Sequence, residues 1–185
     1  MLLQIVHFLI ETLAAFFVYL LLARFHFQWL RVPFRNQIGE FVVLTTNWIV
    51  QPARRAIPPL AGLDWASAVA AWLLQLIALV LLAAISPASP GVAALAVVAL
   101  IDLARFSVYI LSFALVVQAI LSWVSPDTPL GPVFDALTRP FLRPLRRVLP
   151  PIANVDLSPL VLLIVLQVLL IPIWHLRVLA GGGTF

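Results

Sequence analysis

Cysteine and lysine are both absent from the 185 residues. Without cysteine there is no disulfide, no iron–sulfur ligation and no thiol chemistry. Charge of either sign is scarce: 10% of residues carry one, against roughly 25% in soluble domains. So few charges cannot keep a surface wet. With 64% hydrophobic residues and a mean hydropathy of +1.14, the chain reads as an integral membrane protein. Catalytic signatures are missing too. There is no H-E-x-x-H, no G-x-S-x-G and no glycine-rich phosphate loop, and the histidines His7, His26 and His175 are scattered. The sequence therefore offers no catalytic residue, no metal site and no cofactor. A secretory signal is not expected at the N-terminus, which lacks a basic segment and has Glu11 interrupting its apolar run.

All 11 basic residues are arginine. A high-GC genome gives this, and so does selection for phosphate recognition, where a planar fork outperforms an ammonium. The pI of about 11.1 does not point to nucleic acid. The arginines adjoin hydrophobic spans, so anionic lipid headgroups are their natural counter-charge.

Four stretches are apolar enough to span a bilayer, at about residues 2–24, 65–85, 92–124 and 157–179. Helices are the expected form, since open strands leave backbone groups unsatisfied in lipid. The connection 86–91 is short and uncharged. The other two carry Arg24, Arg31, Arg35, Arg54 and Arg55, then Arg139, Arg143, Arg146 and Arg147. The excess of arginine places both of these in the cytoplasm and both termini outside.

The chain also repeats itself. At an offset of 92 residues, Thr46 matches Thr138, Pro52 matches Pro144, Arg54-Arg55 matches Arg146-Arg147, Pro58-Pro59 matches Pro150-Pro151, Asp64 matches Asp156, and Gln75 matches Gln167. An unbroken register of this kind is a tandem duplication, with units 1–91 and 92–185. Two spans per unit give both units the same orientation, a parallel repeat.

Each arginine-rich connection has helical periodicity. Leu130, Val133, Phe134, Leu137, Phe141, Leu145 and Val148 recur every three or four residues, with Asp135, Arg139, Arg143 and Arg146 on another face. Ile38, Phe41, Val42, Thr45, Ile49 and Ile57 repeat this more weakly, opposed by Glu40, Gln51, Arg54 and Arg55. Both segments are expected to be amphipathic helices at the membrane interface, apolar faces sunk in the acyl boundary and arginines on phosphates. Pro140 and Pro144 are expected to kink or interrupt the second one. The double prolines make stiff elbows. They lead to Asp64 and Asp156, which suit the first turn of the next span. Asp156 also lies within reach of an arginine of its own loop.

Several polar residues lie within the spans. Gln75 and Gln167, at equivalent positions, are expected to pair across the bundle or to line a polar path. Asp102 and Arg105, three apart, are expected as a surface pair near the outer interface. Glu11, four residues after His7, belongs near the outer interface or facing the bundle interior.

Ile120-Leu-Ser-Trp-Val124, Pro126, Thr138-Arg-Pro-Phe-Leu-Arg-Pro-Leu-Arg-Arg-Val-Leu-Pro-Pro151 and Asp156-Leu-Ser-Pro159 closely resemble the signature of the YggT family, also called YlmG. The first unit departs from it: Asn47-Trp48 stands for Arg-Pro, Gln51 for Arg143, and Ser67 has no proline after it. The resemblance implies two units of two spans each. For bacterial relatives it implies roles in osmotic tolerance, cation uptake, cell division or envelope organisation. For plastid relatives it implies assembly of a haem-containing cytochrome complex and nucleoid distribution. It assigns no catalytic residues.

The sequence thus leads to an all-α, non-enzymatic membrane protein of the bacterial inner membrane with two parallel repeats. Arg54, Arg55, Arg139, Arg143, Arg146 and Arg147 would meet lipid or a membrane protein partner, and Pro58, Pro59, Pro140, Pro144, Pro150, Pro151, Asp64 and Asp156 would shape the loops. The alternative is a component of ion or solute transport or of the osmotic-stress response, using Gln75, Gln167 and Glu11. Self-association is left open.

Overall fold

The structure, a computed structural model, describes residues 1–34, 36–59, 62–85, 90–124, 128–148 and 156–181. Among these residues the chain forms six helices and no strand: α1 (Leu2–Trp29), α2 (Gln37–Ala56), α3 (Trp65–Ala84), α4 (Val92–Val124), α5 (Gly131–Val148) and α6 (Ser158–Gly181). Helices α1, α3, α4 and α6 are long and apolar enough to cross a membrane. Each unit therefore holds two spans with an amphipathic helix between them, the architecture the sequence leads to.

Helix ends follow local chemistry. Past Trp29 the chain reverses through Arg31, a non-glycine residue at φ 54. The Val32 amide donates to the Phe27 carbonyl at 2.8 Å and the Arg31 amide to the Gln28 carbonyl at 3.3 Å. This is a Schellman stop, with its accompanying hydrophobic contact between Phe27 and Val32. Asn36 then caps α2, its side-chain oxygen accepting from the Gly39 amide at 2.9 Å. Only glycine fits at position 39, because a Cβ there would lie 2.5 Å from the Phe34 carbonyl oxygen. Ile57 ends α2 in an extended conformation (φ −124, ψ 92), as the residue before Pro58 requires. Pro58 and Pro59 follow it; residues 60 and 61, where the elbow of the first unit would complete its turn, and Pro150 and Pro151 lie outside the described residues.

Within each unit the second span packs along the first, α3 on α1 and α6 on α4. The units join where α3 packs on α4. Small side chains allow close approach, with Ala66, Ala70 and Ala71 of α3 buried beside Val18, Leu21 and Leu22 of α1. Helix α4 is central and touches α1, α3, α5 and α6. An apolar cavity of about 510 Å³ remains between the units, walled by α1, α2, α4 and α5 through residues such as Tyr19, Phe27, Val42, Phe113 and Phe134.

Of the two outcomes expected at Pro140 and Pro144, interruption does not occur, and α5 runs through both prolines. They sit on its exposed face, where the carbonyls they leave unbonded can reach water. The apolar faces are also not spent mainly on lipid. Val133, Phe134, Leu137 and Leu142 are buried against α1, α4 and α6, because α5 lies across the ends of spans that leave their own apolar side chains uncovered. Helix α2 does both. Val42 and Val50 are buried, while Phe41, Leu44 and Trp48 form a separate exposed apolar stripe.

Candidate functional site

The repeated Arg-Arg pair and the aspartate ten residues after its first member form the same clamp in both units. Arg54 donates through Nη2 to Asp64 Oδ2 at 2.7 Å, and Arg146 donates through Nε to Asp156 Oδ2 at 2.8 Å. Each clamp ties the end of an interfacial helix to the start of the following span. The second member of each pair, Arg55 or Arg147, is exposed on the outer side of its helix. Arg143, one turn before Arg147, is exposed as well. Among the described residues, Arg55, Arg143 and Arg147 have no acidic partner. Arg139 is held by Asp135 on its own helix. The six arginines singled out by sequence thus divide into three paired with aspartates and three without an acidic partner among the described residues.

The two clamps differ in depth. Asp64 is 1% exposed and Arg54 40%, whereas Asp156 and Arg146 are 41% and 44% exposed. The first clamp gains a buried third member, Arg24 of α1, whose Nε lies 3.5 Å from Asp64. Arg24 also donates to Thr46 Oγ1 at 2.9 Å and Asn47 Oδ1 at 3.1 Å, and Ser67 donates to Asp64 at 2.7 Å. Helices α1, α2 and α3 are thereby pinned at one point. Burial works to raise the Asp64 carboxyl, but hydrogen bonds from Arg54 and Ser67 and the charges of Arg54 and Arg24 hold it below the usual carboxylate range. Asp156 is likewise lowered, burial being outweighed by the Ser158 amide and Arg146.

The second unit replaces the buried arginine with an amide. Thr138, matched to Thr46, donates to the Phe134 carbonyl at 2.9 Å and also meets Gln118 of α4. Gln118 donates in turn to Asp135 at 3.3 Å. The complete sequence motif belongs to the second unit, yet the deeper ion network belongs to the first. Sequence reasoning did not assign roles to Arg24, Thr46, Thr138 and Gln118. The match of Thr46 to Thr138 was the available signal.

A second polar centre lies inside the bundle. The sequence suggested a surface pair for Asp102 and Arg105, but Asp102 is fully buried. It accepts from Gln75 of α3 at 2.9 Å and from Arg177 of α6 at 2.7 Å, and lies 3.2 Å from Arg105. The reason is axial position. Leu95, Val98 and Ala99 pack against Leu79 and Ala83 of α3, so the first half of α4 belongs to the crossing. Asp102, ten residues from Val92, is about 15 Å along the helix. The Gln75–Gln167 pair is also corrected: Gln75 is buried on Asp102, and Gln167 is exposed on α6. His7 and Glu11 face each other at 3.6 Å and are both exposed. Among the described residues no three His, Cys, Asp or Glu side chains gather as metal ligands would.

Comparison with known proteins agrees with the doubling. The model of the CCB3/YggT family matches twice, over residues 3–85 and 97–177. The chain belongs to the CCB3/YggT family. The uncharacterized protein YggT of Escherichia coli K12 is 34% identical over 163 residues, covering 88% of this chain and 85% of that relative. An uncharacterized protein of Pseudomonas aeruginosa is 33% identical over 166 residues, covering 88% and 84%. An uncharacterized protein of Vibrio alginolyticus is 35% identical over 163 residues, covering 86% and 88%. No solved structure matches the chain. Each family segment contains one complete clamp, Arg54 with Asp64 or Arg146 with Asp156.

Proposed function

We propose that this family member is a non-enzymatic protein of the bacterial inner membrane that organises or assists assembly of membrane components through its arginine-bearing interfacial helices. In this reading α2 and α5 lie on the cytoplasmic side and the termini outside, the orientation favoured by the arginine-rich connections. The observation that carries the proposal is the division of the arginine pairs. Arg54 and Arg146 are spent on the clamps, which leaves Arg55, Arg143 and Arg147 presented on helices held in fixed positions. Anionic headgroups and acidic surfaces of a membrane protein partner are the chemistry they fit, at about 1 kcal/mol for each arginine near an anionic surface. The exposed stripe of Phe41, Leu44 and Trp48 seats α2 in the interface.

The test replaces Arg55, Arg143 and Arg147 by alanine and leaves Arg54 and Arg146 intact. Lipids and membrane proteins retained on gentle extraction are then measured by mass spectrometry. Loss of retained partners at normal abundance and topology is expected. Unchanged retention would sink the assignment. The transport alternative needs Gln75, Gln167 and Glu11 along one polar path. Against it, Gln75 is buried on Asp102 while Gln167 and Glu11 lie on outward faces.

A further inference from the structure

The duplication implies an interface that one chain leaves half-built at each end. Inside the chain, the second span of unit one packs on the first span of unit two, α3 on α4. Gln75 reaches Asp102 there at 2.9 Å, and the Trp72 indole donates to the Ala96 carbonyl at 3.0 Å. Shifted by the repeat offset, Trp72 and Gln75 become Ile164 and Gln167 of α6, while Ala96 and Asp102 become Gln4 and Ile10 of α1. The Asp102 position itself holds Ile10; an acid, Glu11, stands one residue on, about 100° further round the helix and on the same face as Gln4, seven residues before it.

Among the described residues, both counterparts lack a covering element. Ile164 is 53% exposed, Gln167 and Gln4 are exposed, and Glu11 is 58% exposed. Gln167 makes no side-chain hydrogen bond among the described residues. Its depth makes that significant. It lies nine residues from Ser158, about 14 Å along the helix and near the middle of a hydrocarbon layer about 30 Å thick. Glu11 lies equally far from Leu2, counted from the opposite surface, so the two meet at one level, as Gln75 and Asp102 do. Glu11 has His7 of its own helix 3.6 Å away, which leaves capacity on the carboxylate, and an amide and a carboxyl at that depth take a polar partner on a neighbouring helix in preference to lipid.

We infer that copies of this chain associate head to tail, α6 of one packing on α1 of the next, with Gln167 bonded to Glu11 of the neighbouring copy. The contact continues the α3–α4 interface, and being heterologous it builds a ring when the rotation closes.

The absence of cysteine makes the test clean, because introduced thiols are the only ones present. Two differently tagged full-length chains, Ile164→Cys and Gln4→Cys, are produced together and oxidised in intact membranes. A disulfide-linked pair carrying both tags, absent when either chain is produced alone, is expected. A pair from Ile164→Cys alone, which is α6 against α6, overturns the proposal. So does the absence of any mixed pair. Independently, wild-type protein extracted with its native lipid should contain more than one copy, and Gln167→Leu should shift it towards monomer. Monomeric wild type overturns the inference as well.

Discussion

Removal of the Asp64 carboxylate should be far more damaging than removal of its counterpart Asp156. Asp64 accepts hydrogen bonds from Arg54 and Ser67, each at 2.7 Å, and neutralises Arg24. Arg24 is 4% exposed. Asp64→Asn keeps the shape but leaves that guanidinium with neutral partners only, Thr46 and Asn47. Stranding a buried charge costs about 3–5 kcal/mol. At Asp156 both groups are more than 40% exposed, so water and salt screen the pair and its loss costs at most about 1 kcal/mol. The assay is reversible unfolding in bicelles of wild type, Asp64→Asn and Asp156→Asn, at low and high salt. The first variant should lose most of its stability regardless of salt. The second should differ from wild type only at low salt. A further Arg24→Met change in Asp64→Asn should recover part of the loss by removing the stranded charge. Equal losses in the two single variants would refute the assignment of a buried and an exposed clamp.

Other outcomes follow from the same geometry. Gly39→Ala places a methyl group 2.5 Å from the Phe34 carbonyl oxygen and should cost about 1–3 kcal/mol; faster proteolysis between α1 and α2 would report it. Arg31→Gly relieves a residue at φ 54 and should stabilise the fold by about 1 kcal/mol, visible as a raised midpoint in the same unfolding assay. Both Asp64 and Asp156 have lowered pKa values. Their contribution is therefore complete above the unfolded carboxylate value near pH 4 and is lost as pH falls through the lower folded values. An acid titration of stability should show this drop in wild type and a smaller one in Asp64→Asn.

What the sequence disclosed depended on how far apart the partners lie. Spans and interfacial helices show as local hydropathy and periodicity, and the clamps fall within ten residues, in a spacing seen twice. The interior centre was hidden. Arg177 and Asp102 are 75 residues apart, and nothing local joins them. Repeat symmetry misdirected the reading of Gln75, since matching positions invited pairing with Gln167. Helix α4 packs between α3 and α6, so Gln75 bonds to the residue across the unit boundary. The depth of Asp102 is not legible in the sequence because α4, at 33 residues, exceeds one crossing. Its length does not say which end is surplus. Packing shows instead that Asp102 lies between α3 and α6, bonded to Gln75 and Arg177.

Site-specific photo-crosslinking in living cells tests the central claim most directly, with the probe at position 143 compared with one at buried position 142. The account predicts that position 143 captures a recurrent membrane protein, with or without anionic lipid, and that capture fails when Arg55 and Arg147 are replaced by alanine. Capture of lipid alone from position 143 would contradict the role in assembly, and the same products from both positions would contradict the assignment of these arginines.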